Sequence, residues 1–327
     1  MKLDDFSALL LELSRIDAPP GYEDPLRAWL QAHLPAGATA RVDGLGNLIV
    51  LREPDRQPRA VVVAPLDEVG FLSQEGPTQG WVRLAPLGPA PLPGPAGARV
   101  RFANAALGVL VREPHASDDA GWRGWLCDVA AAQVPVGTPG VWDAAPVARA
   151  GRVWGKALGV RAALLVALWA LHHAEPAHPT AWVFAAREQV PGHGSAPAAF
   201  GLQPAWAWRV MPAPAGDLPG QRVPGPGVGR GPAVRLREWG RAADPRLVQA
   251  LQRAAAQVGF TPQAEVPPDR EPSWASLPLV AAGLPTATLS LPVRNLHAAH
   301  ESVALDDLTL AARWLRQLLE APGDPLA

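Results

Sequence analysis

Cysteine, lysine and tyrosine are nearly absent from this chain of 327 residues. Cys127 is the only cysteine, so no intrachain disulfide can form, and this fits a reducing compartment. Lys2 and Lys156 are the only lysines, and the net charge of −1 gives no field that would attract nucleic acid or an anionic membrane. We therefore expect neither among its partners.

Long apolar runs are missing as well. Residues 1–17 place Asp4, Asp5 and Glu12 inside an apolar pattern, unlike the unbroken apolar core of a secretory signal. The most apolar later stretch, residues 162–171, is far shorter than the ~20 residues that span a bilayer. These two features predict a cytoplasmic protein.

Two parts of the chain, residues 1–74 and 149–327, alternate short apolar strands with stretches of helical spacing. This alternation predicts one α/β domain with a mostly parallel sheet sandwiched by helices, whose site lies at the carboxyl ends of the strands. The predicted strands are 40–51 (a hairpin), 60–64, 181–185, 205–210, 233–236 and 286–291, and the later predicted helices are 164–171, 245–258 after an Asp244-Pro245 cap, 275–282 and 305–319.

Residues 75–148 differ from the rest of the chain in composition and in hydrophobic periodicity. Glycine and proline are frequent there, apolar pieces are short (81–85, 99–102 and 107–111), and no helical period persists. We interpret this span as a small β domain inserted into the larger domain.

Several segments near the predicted strand ends carry a resemblance through their order and spacing. They are PGYEDPLRAWL (20–30), VDGLGNLIV (42–50), APLDEVGF (64–71), GKALGVRAALL (155–165), AREQVPGHGSAPAAFGLQP (186–204), AGDLPG (215–220), GRGP (229–232) and GLPTATLSLPVRNLH (283–297). With these segments the chain resembles the tetrahedral or deblocking (glutamyl) aminopeptidases, co-catalytic zinc metallopeptidases once also called endoglucanases. The resemblance runs from about Tyr22 to about Leu319.

The resemblance implies a zinc-peptidase α/β domain interrupted by a small β domain that helps assembly, in homo-oligomers from dimers to dodecamers. It also implies two zinc or cobalt ions held by two His, a bridging Asp, a Glu and another Asp. A further Glu serves as general base on the metal-bound water, whose pKa the metals lower.

Most positions that match these ligands carry other residues here. In chain order they are occupied by Pro65, Gly159, Gln189, Arg209 and His297, of which only the last matches the family's ligand. Asp67 and Glu188, which match the supporting acid and the general base, are retained. Proline and glycine offer no donor atom, and a cation at Arg209 opposes the binding of a dication.

These substitutions lead to three hypotheses. In the first, which we adopt, the chain is a non-catalytic homologue that needs no cofactor and acts as a scaffold, a regulatory subunit or a peptide binder, with an active paralogue or a peptide as partner. In the second, it is an active metallo-aminopeptidase whose zinc or cobalt site is rebuilt from Asp67, Glu188 and His297, with His193 and His300 as candidates for a further ligand. In the third, Glu188 serves a metal-independent hydrolase.

The first hypothesis carries a structural expectation for Arg209. Without metals, Asp67 and Glu188 would be two carboxylates in a partly buried cleft, where like charges repel and each is costly to desolvate. A guanidinium can pair with both through its planar fork. We therefore expect Arg209 within hydrogen-bonding reach of Asp67 or Glu188.

Overall fold

The computed structural model describes residues 5–76, 78–91, 97–130, 133–190, 193–220, 225–238, 241–267 and 276–327. Its α-helices are α1 (Phe6–Leu13), α2 (Asp24–Ala32), α3 (Leu158–His173), α4 (Ser195–Leu202), α5 (Pro245–Val258) and α6 (Leu305–Glu320), with short 3₁₀ helices at Asp118–Gly124 and Leu277–Leu279. Its strands are β1 (Thr39–Val42), β2 (Leu48–Leu51), β3 (Ala60–Pro65), β4 (Gly70–Ser73), β5 (Trp81–Val82), β6 (Leu84–Leu87), β7 (Arg99–Phe102), β8 (Leu107–Arg112), β9 (Trp125–Asp128), β10 (Pro139–Trp142), β11 (Val147–Arg149), β12 (Arg152–Gly155), β13 (Thr180–Ala185), β14 (Trp206–Pro214), β15 (Ala233–Arg235), β16 (Arg237–Glu238), β17 (Arg241–Ala242), β18 (Gln263–Glu265), β19 (Thr286–Val293) and β20 (Glu301–Ala304).

The main sheet has the order β1-β2-β13-β3-β14-β19-β15-β18. Its four central strands, β13, β3, β14 and β19, run parallel, whereas β2 joins them on one side and β15 on the other by antiparallel pairing. The predicted α/β class is confirmed, with a mixed sheet whose parallel part is its centre. β3 is apolar along its whole length, and β13 is apolar after Thr180, because both faces of these strands are covered.

Helices cover the two faces of this sheet and create two cores. On one face α3, α5 and α6 pack over Val62, Trp182 and Val210. On the other face α4 and the turn Leu277–Leu279 cover Val61 and Val63. Successive residues of β3 thus enter opposite cores, as the two-residue period of a strand requires.

A second sheet is built from the chain between Gly70 and Trp142, in the order β5-β9-β8-β7-β10-β4-β6. Phe71 and Trp142 meet edge to face at its centre, with ring centroids 4.6 Å apart. Strand β4 belongs to this sheet although it precedes the expected boundary at residue 74. The division into domains at 74/75 and 148/149 stays a prediction.

A network of ion pairs connects strand β7 of the second sheet, through the partly exposed Asp17, to buried charges near the start of α3. Lys156 Nζ lies 2.7 Å from Glu68 and 3.1 Å from Asp17, and Arg161 Nη2 lies 2.8 Å from Glu68. Arg101 of β7 binds Asp17 at 2.8 Å. Lys156, Arg161 and Glu68 are buried, and each of these three charges has a partner of opposite sign.

Two helices predicted from local sequence signals have opposite outcomes. Asp244 accepts a hydrogen bond from the Arg246 amide and starts α5 as predicted. The predicted helix at 275–282 is wrong for its described residues, because Val280 is extended and Ala281 has a φ of 52° after the single turn Leu277–Leu279. Leu277, in that single turn, packs against α4 in the second core. Within the described ranges, no helix is long and apolar enough to cross a membrane.

Candidate functional site

The retained carboxylates lie where two parallel strands end. Pro65 closes β3 and pairs in register with Ala185, which closes β13. Asp67 follows the first strand, and Glu188 follows the second. Because neighbouring parallel strands end at the same edge, the two acids come together there.

Asp67 is fully buried and bound by the backbone of the neighbouring strand end. The amides of Glu188 and Gln189 each donate to one of its carboxylate oxygens at 2.9 Å. Burial raises the pKa of Asp67 well above its usual range, and the charges of Glu23 and Glu188 act in the same direction. The site therefore favours the neutral carboxyl more than water does.

Glu188 is also fully buried, and it is surrounded by donors. It accepts from the Ser195 amide at 3.1 Å and from the Ser195 hydroxyl at 2.9 Å. Arg209 Nη2 lies 3.4 Å from Glu188 Oε1, so the expected contact between these two residues is present. Arg209 pairs in register with Val63, which places it on the sheet face that α4 covers.

Ser195 was missed at the sequence level. It is the first residue of α4, after the N-cap residue Gly194, and its side chain does not cap the helix. No local sequence signal indicates that its hydroxyl binds Glu188.

Gln189 has an unusual environment. Its side chain is 1% exposed, and among the described residues neither its amide nitrogen nor its amide oxygen has a hydrogen-bond partner. An amide buried in this way loses its hydration without compensation, so it is a candidate for contact with a bound molecule.

Gly159 occupies the first turn of α3, where space is restricted. A Cβ atom there would lie 2.9 Å from the Pro212 Cβ and 3.0 Å from side-chain atoms of Val293 and Leu296. Its amide donates to the Glu301 carboxylate at 2.6 Å. A carboxylate side chain at position 159 would require these neighbours to move.

His297 lies on the other side of Glu301. Its backbone is left-handed, with a φ of 68°, and its amide donates to Glu301 at 2.6 Å. Burial lowers the pKa of His297 to about 4, and burial raises the pKa of Glu301 to about 7. Glu301, which the sequence reasoning did not select, thus links the backbones of Gly159 and His297.

Most of the family-matched positions lie in two hydrogen-bonded groups. One contains Asp67, Glu188, Gln189 and Arg209, and in the other the amides of Gly159 and His297 both bind Glu301. Among the described residues, no three His, Cys, Asp or Glu side chains are close enough to hold one metal ion. His193 and His300, considered as replacement ligands, are both exposed.

The fold is that of solved aminopeptidases. The structure superimposes on an aminopeptidase from the archaeon Desulfurococcus kamchatkensis with a TM-score of 0.87, at 24% identity, covering 98% of this chain and 96% of that one. The TET1 peptidase of Pyrococcus horikoshii, which can assemble into a tetrahedron or a large octahedral shell, gives a TM-score of 0.79 at 21% identity over 97% of this chain and 99% of that one. At these identities the similarity shows a shared fold.

Sequence comparison defines the family. The profile described as M42 glutamyl aminopeptidase matches residues 126–313, which is more than half of the chain. This chain belongs to that family. It is also 25% identical over 328 aligned positions to an Acetivibrio thermocellus protein that carries the name of an aminopeptidase, covering 96% of this chain and 98% of that protein.

Proposed function

We propose that this chain is a non-catalytic homologue of the M42 aminopeptidases, which acts as a scaffold, a regulatory subunit or a peptide binder. One observation carries the proposal: Arg209, at the position matched to a metal ligand, lies 3.4 Å from Glu188, at the position matched to the general base. A guanidinium in that place repels a dication and holds the carboxylate that would receive a proton from water.

The residues present do not fit a pair of co-catalytic metal ions. Pro65 has no donor atom, and Gly159 stands where the bridging carboxylate belongs, with Pro212, Val293 and Leu296 filling the adjacent space. Two dications need several anionic or imidazole ligands converging on one point. Because the donor set fails this requirement, we assign no step to a metal.

The buried Gln189 amide supports the peptide-binding form of the proposal. Its side chain offers two N–H donors and one acceptor, and none of them has a partner in the described part of the chain. A peptide group offers one donor and one acceptor, so the two amides are complementary. Binding a peptide there would compensate the desolvation of Gln189.

We also propose that the chain forms a homo-oligomer, between a dimer and a dodecamer, through its second sheet. Leu107, Val109 and Val111 alternate along β8 and are 55%, 39% and 36% exposed. Asp128 of β9 pairs with Val109 on one side and with Trp81 of β5 on the other, so Trp81 lies on the same face of the sheet as Val109. Trp81 is 36% exposed. Exposed apolar side chains on one face of a sheet are typical of contacts between subunits, and the exposed Asp128 lies between Val109 and Trp81 on this face. We call these four residues the β8 patch.

Metal analysis combined with an activity assay tests the catalytic part of the proposal. The purified chain should contain no stoichiometric zinc or cobalt and should not hydrolyse aminoacyl-p-nitroanilides when either metal is added. Arg209→Asp alone should not restore turnover, because Pro65, Gly159 and Gln189 still lack ligands. Full zinc occupancy with chelator-sensitive turnover would establish the rebuilt-site enzyme instead. Turnover that survives a chelator but disappears in Glu188→Gln would establish the metal-independent hydrolase.

A further inference from the structure

A cavity of about 230 Å³ lies at the opposite edge of the main sheet from the family-matched positions. It is lined by the first residues of three parallel strands, Ala60, Thr180 and Trp206. Helices α5 and α6 and the C-terminal segment 321–325 complete its wall. Pockets for drug-sized ligands start at roughly 300 Å³, so this cavity suits a smaller molecule.

The aromatic wall of the cavity includes an unsatisfied donor. Trp206 and Trp208 both line it, and Trp206 is 2% exposed. Among the described residues, the Trp206 Nε1 has no hydrogen-bond acceptor. Buried indole N–H groups normally have a partner, and leaving one without costs stability. A ligand with an acceptor atom would supply what the protein does not.

Two arginines lie at or beside the cavity, and they differ in whether a described carboxylate pairs with them. Arg59 stacks over Trp206, with its Cζ 5.4 Å from the ring centroid, and it is already paired with Asp324 at 2.7 Å. Arg253 of α5 also lines the cavity and is exposed, and in the described part of the structure it forms no ion pair or hydrogen bond. Arg253 is therefore available to bind an anionic group at the cavity.

These features are complementary to one kind of molecule. We propose that the cavity binds a small aromatic carboxylic acid, with its ring against Trp206 and Trp208 and its carboxylate on Arg253. The guanidinium matches a carboxylate in geometry as well as charge, and an aromatic ring stacks favourably on an indole. The site is independent of the peptidase-like site and of any turnover there.

Phenylacetate is the probe of choice, because it combines one ring with one carboxylate. Ligand-observed NMR titration of the full chain should give saturable binding at one site. Phenylacetamide, which keeps the shape and loses the charge, should bind about tenfold more weakly, because it cannot form an ion pair with Arg253. Acetate, which lacks the ring, should show no measurable binding.

Variants locate the binding to this cavity. Arg253→Gln should weaken phenylacetate binding about tenfold, and Ala250→Leu, which fills the cavity from α5, should abolish it. Arg313→Gln is the matched control, because Arg313 is an exposed arginine on α6 that does not line the cavity. Its affinity should equal that of the unmodified chain. Thermal unfolding of each variant verifies that it is folded.

Two results would overturn the proposal. One is the absence of saturable phenylacetate binding to the unmodified chain. The other is binding that Arg253→Gln leaves unchanged, which would place the ligand elsewhere. The comparison of phenylacetate with phenylacetamide needs no variant, so a misfolded Ala250→Leu would not remove the test.

Discussion

Arg209 and Glu188 form a buried ion pair, with Nη2 and Oε1 3.4 Å apart and both side chains at most 1% exposed. Removal of one partner from such a pair leaves an uncompensated charge in the interior, which costs far more than the pair itself contributes. The pair therefore predicts strong coupling between the two positions.

A double-mutant cycle measures this coupling. Arg209→Met and Glu188→Gln should each lower the free energy of unfolding by about 3–5 kcal/mol, and the double variant should lose clearly less than the sum of the two. Urea unfolding of the three variants at equal protein concentration provides the values. Arg313→Gln, a surface substitution, should stay within about 0.5 kcal/mol of the unmodified chain. Additive losses would mean that Arg209 and Glu188 do not interact.

The space around Gly159 gives a second prediction. A Cβ there would meet Pro212, Val293 and Leu296 at 2.9–3.0 Å. Gly159→Ala should therefore destabilise the protein by about 1–3 kcal/mol through overpacking, although alanine is the better helix former. Gly201→Ala in α4 is the matched control, because nothing lies within 4 Å of its Cβ and its stability should be equal or higher. A stable Gly159→Ala would mean that an aspartate could also be accommodated, and would weaken the argument against a bridging ligand.

Much of this architecture could be predicted from local signals. The Asp244-Pro245 cap located α5, and the apolar runs located β3 and β13. The strand ends then placed Asp67 and Glu188 together. Glu301 could not be found in this way, because its contact with the Gly159 amide joins residues that are 142 positions apart. The helix at 275–282 is predicted wrongly because Leu277 is buried by contact with α4, and a local pattern cannot distinguish such a contact from the apolar face of a helix.

The β8 patch predicts the route of assembly. Light scattering of the unmodified chain should give a mass at least twice the monomer mass of 34.4 kDa. Val109→Glu should shift the population towards monomer, because a charge in an apolar interface loses its hydration without a partner. Leu279→Glu is the control, since Leu279 is 72% exposed and lies outside the β8 patch. A monomeric unmodified chain would contradict the proposed assembly, and an unchanged mass in Val109→Glu would place the interface elsewhere.

Burial raises the pKa of Glu301 from its usual 4.5 to about 7. This shift makes the free energy of unfolding depend on pH, and it fixes the direction of that dependence. Between these two values the folded state keeps the proton while the unfolded chain loses it. The folded state then binds more protons, so the contribution of Glu301 to stability falls as the pH rises from 4.5 towards 7. His297 acts oppositely below pH 6.5, because its pKa is lowered to about 4 and its unfolded form binds the proton more readily.

Comparison with Glu301→Gln separates the two effects, because both proteins retain His297. The free energy of unfolding of the unmodified chain, minus that of the variant, should decrease by up to about 3 kcal/mol between pH 4.5 and pH 7 and then level off. Denaturant titrations at fixed protein concentration across this range provide the measurement. For Arg313→Gln the same difference should stay constant with pH, since arginine does not titrate there. A difference that grows with pH for Glu301→Gln would mean that the Gly159 and His297 amides stabilise the Glu301 carboxylate more than burial penalises it.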